Sequence, residues 1–336
     1  MGDERASFGT VMILSMGLLY NKTMKLSLCI ATFDEEKNIH YPMNSALDIV
    51  DEVIIVDGGS KDRTVEIAKS YGKKVKVIDC ENPTMFHKNK QKAIEAATGE
   101  WILQLDADEE LSQELKKEIV TLLHGFIDKK TMKQSNNETI MNHVAYWIPR
   151  KNWFLTRFLE KGGQYPDYTI RLYRNGYAEF PCKDVHENVE IINPNNQAPR
   201  NKQIKNSNNQ NSKKLGNSNL DIGNCLDTCN LVIGYLKNPI LHYADPDFSR
   251  YLLRWDRYTT LEAEILTKTM EQSNNETMKG ILMFINYFII KPKLTFLSMY
   301  FRHKGFMDGF PGFVFALFSS IRFWVIYIKW RTKNSS

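Results

Sequence analysis

The sequence predicts an α/β fold: a mainly parallel sheet with helices on both faces, followed by an aromatic-rich helical region. Two observations carry this. Apolar runs at Leu26–Ala31, Val53–Val56, Val75–Ile78 and Trp101–Leu105 read as strands, and helical patterns lie between some of them. Strands alternating with helices indicate parallel pairing. Later, residues 281–301 and 310–330 are rich in Phe, Ile, Leu, Tyr and Trp.

The elements follow in order. The first strand ends in the polar loop Thr32-Phe33-Asp34-Glu35-Glu36. The second ends in Asp57-Gly58-Gly59-Ser60-Lys61-Asp62-Arg63-Thr64, and Val65–Tyr71 then reads as a helix. Gly58 and Gly59 permit a tight turn. Ser60 and Asp62 suit the start of that helix. Lys88–Thr98 is helical in pattern, with Ala93, Ile94, Ala96 and Ala97 available for an inner face and Gly99 as its stop. In such sheets ligands bind beyond the carboxyl ends of the strands. The loops 32–36, 57–64 and 106–110 therefore share one rim.

The fourth strand runs into Asp106-Ala107-Asp108. Residues two apart in a strand point the same way, so two carboxylates just past a strand end can converge on one hard cation. Mg²⁺ is commonly held by one or two carboxylates together with substrate phosphates. The alternative is an acidic turn that caps the next helix.

Bulk properties narrow the class. The chain has 336 residues, 43% hydrophobic and 25% charged, which suits one large or two ordinary globular domains. Its net charge of +5 suits an anionic substrate or a membrane surface. No basic cluster interleaved with aromatics argues for nucleic acid. Cys29, Cys80, Cys182, Cys225 and Cys229 form no disulfide framework, which favours a reducing compartment.

Polar segments interrupt the second half. Thr131–Thr139 recurs almost unchanged as Thr269–Thr277, and a further Asn/Ser-rich stretch runs from about Asn193 to Asn219. Such segments bury too little apolar surface to fold alone, so they read as solvent-facing insertions. Residues 1–23 read as an N-terminal extension or a mis-assigned start, with Met24 directly before the first strand. The run Phe310–Trp330 is interrupted by Pro311, Gly312 and Arg322. Its mixed aromatic and basic residues suit a segment lying in a membrane interface. A single spanning helix and a purely structural helix are the alternatives.

The series Ala31–Glu36, Ile54–Thr64 and Thr98–Glu109 resembles family-2 glycosyltransferases with a GT-A fold. More narrowly, it is similar to the branch of lipopolysaccharide-core glucosyltransferases. Gly162–Arg174, Val185-His186-Glu187, Leu241-His242-Tyr243 and Lys304–Gly309 carry that narrower likeness. The resemblance implies a Rossmann-like, mixed but mainly parallel sheet. It implies an inverting transferase that uses a nucleotide-sugar, a UDP-sugar in particular, with Mg²⁺ or Mn²⁺. Asp106 and Asp108 would hold the cation, with Asp106 also near the ribose. Thr32, Phe33, Glu36, Asp57, Gly59, Lys90, Arg171 and His186 would line the donor site, Asp57 accepting a bond from the base. The family usually has Asn where this chain has Asp34, which favours Glu36 for the contact. Glu187 is the expected catalytic base, with Asp167 as runner-up. An ion pair with Asp167 is the structural alternative for Arg171.

The implied organisation is a GT-A domain over 24–230, with a donor half at 24–125 and an acceptor half at 143–192. Polar insertions occupy 128–142 and 193–222, and 231–336 form a helical, membrane-associating region. The acceptor would be a lipid-linked or cell-envelope glycan, at the cytoplasmic face of the membrane. A nucleotidyltransferase shares the βαβ start and acidic site but needs a glycine-rich basic loop after the first strand, which Ala31–Glu36 is not. A degenerate scaffold is the non-enzymatic alternative.

Overall fold

A computed structural model describes residues 24–82, 86–124, 143–182, 188–194, 231–245, 247–272 and 281–333. The N-terminal extension, the insertion at 128–142, nearly all of that at 193–222, and both His186 and Glu187 lie outside the described residues.

The first half alternates as expected: β1 (Leu26–Thr32), α1 (His40–Ala46), β2 (Glu52–Asp57), α2 (Thr64–Ser70), β3 (Val75–Asp79), α3 (His87–Glu95) and β4 (Trp101–Gln104). Then come β5 (Glu109–Leu111), α4 (Gln113–His124), β6 (His143–Phe154), β7 (Arg157–Phe158) and β8 (Asp167–Arg174). β9 (Ala178–Glu179) and β10 (Glu190–Ile191) form a separate pair, and β11 (Val232–Tyr235) and β12 (Ile240–Asp245) follow. The main sheet runs β3-β2-β1-β4-β8-β6-β12-β5, with β7 and β11 also paired to β6.

β3, β2, β1 and β4 are mutually parallel. Beyond β4 the sheet turns mixed, since β8 is antiparallel to both β4 and β6. This is the GT-A arrangement, a mainly parallel half joined to a mixed half. β1 explains why its sequence is almost continuously apolar: it is covered on both faces. Leu26, Leu28 and Ile30 pack with Met43, Ile55 and Leu115 on one face, while Cys29 packs with Ile54, Val56, Ala93 and Ile94 on the other. Each fully buried Leu or Ile contributes about 1.5–3 kcal/mol of transfer free energy.

One boundary moves. Residues 231–245 were expected in the C-terminal helical region, but β11 and β12 pair with β6 in the main sheet. Their short polar-flanked runs carry no pattern that distinguishes them from a linker. The pairing partner, β6, lies far back in the chain.

The C-terminal region comprises α5 (Phe248–Gln272), α6 (Ile281–Arg302), a short 3₁₀ turn (Gly305–Asp308) and α7 (Gly309–Lys333). The second copy of the polar repeat begins inside α5, where Met270 is buried against Ile326 and Trp330 of α7 rather than facing solvent. Pro311 does not interrupt α7. It occupies the first turn, where its missing N–H costs no helical bond. The turn between α6 and α7 is locked: Asp308 accepts the N–H groups of Glu160 and Lys161 at 3.1 and 2.7 Å. A Cβ on Gly312 would fall 2.1 Å from the Gly305 carbonyl, so only glycine allows this approach.

α6 and the helical segment 305–332 are each long and apolar enough to cross a membrane, yet only 11% and 33% of their apolar windows are buried. Ile281, Leu294, Phe301 and Phe310 are each more than half exposed.

Candidate active site

The rim begins with two loops zipped together. Asp34 sits at φ 54 and accepts the Lys61 N–H at 2.7 Å, while its own N–H donates to Ser60 Oγ at 2.9 Å. Glu36 accepts the Arg63 N–H at 3.1 Å and donates its N–H to Asp62 at 3.0 Å. Both side chains thus turn back onto the second loop. Asp62 also accepts the Thr64 N–H at the start of α2.

Asp57 organises this turn. One oxygen accepts from Thr32 Oγ1 at 3.1 Å and Ser60 Oγ at 2.5 Å, the other from the N–H groups of Gly59 and Ser60 at 3.0 and 2.8 Å. That fills the roughly four acceptor positions of a carboxylate. The side chain is buried at 2% exposure. Gly59 adopts φ 83, which favours glycine.

A cavity of about 270 Å³ opens between the first loop, α3 and the Asp-Ala-Asp turn. Of the residues expected at the donor and metal site, Thr32, Phe33, Lys90, Asp106 and Asp108 line it. Glu35, Asn82, Phe86, Asn89 and His242 join them. Glu36, Asp57, Gly59 and Arg171 stand behind this wall rather than in it. Lys90 is brought in by α3 and lies over the Phe86 ring at 5.1 Å.

Behind the cavity lies a charge network. Asp106 pairs with Lys90 through one oxygen and with Arg171 at 2.6 Å through the other. Arg171 also reaches Glu109 at 2.8 Å and Gln104 at 2.8 Å. Arg150 spans Glu109 at 3.3 Å and Asp167 at 2.8 Å. Arg171 therefore pairs with Asp106 and Glu109, and not with Asp167 as the structural alternative held. Register explains this: Asp167 stands directly opposite Arg150 in the β6–β8 pair. Burial would raise the Asp106 carboxyl, but Arg171 and Lys90 override it and hold it far below the usual range.

Asp108 is handled differently. Its neighbour is the imidazole of His242, with Nε2 at 3.6 Å from Oδ1. Antiparallel pairing of β5 with β12 sets His242 opposite Glu109 and so beside Asp108. The other ring nitrogen, Nδ1, is 2.7 Å from Asn152 Oδ1, and Asn152 donates through Nδ2 to Asp167 at 3.3 Å. An amide oxygen only accepts, so Nδ1 carries a proton and donates to Asn152, which points Nε2 at Asp108. An imidazole nitrogen and a carboxylate oxygen thus face each other across the end of the cavity. Burial would raise Asp108, but His242 holds its carboxyl below the ordinary value.

Among the described residues no group of three or more His, Cys, Asp or Glu side chains is arranged to hold a metal alone. The Asp108–His242 pair offers oxygen and nitrogen donors that suit Mg²⁺ or Mn²⁺ when phosphate and water complete the shell.

Residues 27–176 match the family model described as glycosyl transferase family 2. That stretch is a family-2 glycosyltransferase domain. An uncharacterized glycosyltransferase of Rickettsia typhi is 28% identical over 308 residues, covering 89% of this chain and 84% of that one. Another, from Rickettsia conorii, is 40% identical over 161 residues, covering 47% of this chain and 51% of its own. Among solved structures, S. aureus TarS 1–349 in complex with UDP-GlcNAc aligns at 16% identity and a TM-score of 0.39, covering 93% of this chain and 91% of that one.

His242, Asn152, Arg150, Glu109 and Glu35 join the site without a local sequence pattern that marks them. His242 lies in the Leu241-His242-Tyr243 step, but its place beside Asp108 depends on strand pairing. Glu35 lies between the two acids that turn away, and burial raises its carboxyl. Alternation along the loop was the available signal.

Proposed function

We propose that this glycosyltransferase moves a sugar from a UDP-sugar to a lipid-linked or cell-envelope glycan, with inversion and with a divalent cation. The likeness to the lipopolysaccharide-core branch supports that acceptor class. The observation that carries the donor reading is the facing pair Asp108–His242 at the mouth of a cavity lined by Phe33, Phe86 and Lys90. At 3.6 Å the carboxylate oxygen and the imidazole nitrogen converge on one point, where a cation can take a ligand from each.

Phe33 and Phe86 offer apolar faces to the nucleoside, and Lys90 offers its charge to the diphosphate. Asp108 and His242 would hold the cation, with Asn152 fixing the orientation of the imidazole. When bound, Mg²⁺ or Mn²⁺ neutralises the charge that builds on the departing diphosphate. Asp106 keeps Lys90 in place through their ion pair and stands near the ribose. Asp57 and Gly59 shape the loop that carries Thr32 and Phe33.

In the transfer itself, an acceptor hydroxyl bonds to the anomeric carbon from the face opposite the diphosphate. The glycosyl–phosphate bond breaks, and a carboxylate takes the hydroxyl proton. Glu187 is the expected base. Among the described residues Asp167 is the candidate: only its Oδ2 is engaged, by Arg150 and Asn152. The exposed apolar faces of α6 and α7, with Lys291, Lys293, Arg302 and Lys304 beside them, support peripheral attachment to an anionic membrane surface at the cytoplasmic side.

A panel of sugar nucleotides tested by thermal shift with Mn²⁺ checks the donor reading, because a bound donor stabilises the fold by mass action. A UDP-sugar should raise the melting temperature only when Mn²⁺ is present. No shift with any donor contradicts it. Co-sedimentation with vesicles checks the membrane reading: binding to phosphatidylglycerol vesicles is expected, and Leu294→Asp with Phe301→Asp should abolish it.

A further inference from the structure

A second cavity, of about 370 Å³, lies between the end of β12, α5 and α7. Its size is in the range of small-ligand sites, roughly 300–1,000 Å³. It meets the first cavity at His242, which lines both. Arg150 and Asn152, the two partners of Asp167, form its inner end. A ligand here therefore lies across the Asp108–His242 pair from the donor cavity.

The lining chemistry is specific. Asp245 is 3% exposed; one carboxylate oxygen pairs with Arg254 and the other, Oδ1, has no partner among the described residues. Arg322 of α7 pairs with Glu262 at 3.5 Å, and its buried Nε likewise lacks a partner. A carboxylate and a guanidinium thus line the same space, each with one buried atom that has no partner among the described residues. A hydroxyl both donates and accepts, so a polyhydroxylated ring can bond a carboxylate and a guanidinium side by side. Arg150, Arg254 and Arg322 all line the cavity, but each is already paired with a carboxylate, Asp167, Asp245 and Glu262 in turn, which offsets the charge a phosphate would seek. Trp153, Trp255 and Tyr258 supply the apolar surfaces against which the C–H face of a sugar ring packs.

The outer wall adds the tail. α7 turns Phe315, Ser319 and Arg322 into the cavity, while Phe310, Trp324 and Ile328 of the same helix are 71%, 40% and 50% exposed. A ligand whose ring occupies the cavity has an apolar helix surface beside it.

We infer that the cavity between β12, α5 and α7 is the acceptor site, and that it takes an uncharged sugar ring carrying an apolar tail, with Asp245 and Arg322 binding its hydroxyl groups. The inference rests on the glycosyltransferase reading of the neighbouring cavity.

The test uses the full chain, the sugar nucleotide that stabilises it, and octyl glycosides of glucose, galactose and mannose below their micelle concentrations. At least one should be glycosylated, as read by mass spectrometry. Asp245→Asn, Arg322→Gln and the cavity-filling Ser319→Phe should each cut that product rate by about tenfold or more. The donor-induced thermal shift should persist in all three, which also shows that they fold. Should Ser319→Phe lose that shift by failing to fold, Arg322→Gln decides alone. Product rates within about twofold of wild type in the folded variants overturn the assignment. So does inhibition of transfer by octyl phosphate and not by the glycosides, or a wild-type chain that binds donor but glycosylates none of them. Absence of any donor shift in the wild type would instead strike the donor reading.

Discussion

Asp57 and Asp108 both follow a buried strand at the same rim, and they differ in who satisfies them. Asp57 is filled by four donors from its own loop and from Thr32 beside it. Asp108 meets His242, a residue far along the chain, with Nε2 3.6 Å from its Oδ1. A carboxylate saturated by its own turn shapes a loop. One that faces a single imidazole nitrogen across a cavity keeps acceptor positions for a cation. Position at a strand end does not separate the two cases; the partner list does.

The largest effect should come from Asp108→Asn. Removing the charge opposite His242 should lower the transfer rate by at least about a hundredfold, or roughly 2.7 kcal/mol of barrier. Steady-state kinetics with saturating Mn²⁺ reads this, and a rate near wild type would erase the distinction between the two loops. Next is the support behind His242. Asn152→Ala frees the imidazole to rotate or change tautomer, and metal affinity should weaken by about 10–100-fold. A Mn²⁺ titration of activity measures it.

The buried charge network offers a test by pH. Burial disfavours the ionised form of Asp106, yet Arg171 and Lys90 hold its carboxyl below the ordinary value. A lowered folded pKa gives stability that is fully present above the unfolded value of about 3.9 and is lost as pH falls through the folded one. Urea unfolding should therefore show stability falling below about pH 4, and Asp106→Asn should flatten that limb. An unchanged acid limb in the variant would remove Asp106 from the network.

Asp57→Asn should change catalysis least. It replaces an acceptor-only group with one that must place an NH₂ among donors, so stability should fall by about 1–3 kcal/mol. At temperatures where the variant stays folded, transfer should remain within about threefold of wild type, which corresponds to ~0.7 kcal/mol. A large loss with normal stability would return Asp57 to the donor's own contacts.

These contrasts show what could be read from the sequence. β1 to β4 and the helices α2 and α3 were legible because each strand is an apolar, often β-branched run closed by a polar loop. Thr32, Phe33, Asp106 and Asp108 sit at or just past strand ends, which fix the rim, whereas Lys90, on α3, was marked only by the family resemblance. α1 escaped notice because it is short and begins His40-Tyr41-Pro42, with no capping signal. β11 and β12 escaped because their place is set by β6, far away in the chain. With β12 went His242 and Asp245, and with β6 went Arg150 and Asn152. Residues whose role depends on non-local pairing carry no local pattern. In the C-terminal region hydrophobicity was legible, whereas the inward turn of Ser319 and Arg322 depended on how α7 packs on α5.

The central claim is that Asp108 and His242 hold a cation that binds the donor diphosphate. Calorimetric titration of UDP, with and without Mn²⁺, tests it most directly. Mn²⁺ should strengthen UDP binding in the wild type and in Asp57→Asn, and should have little effect in Asp108→Asn or His242→Ala. Equal Mn²⁺ dependence in all four proteins would contradict the account.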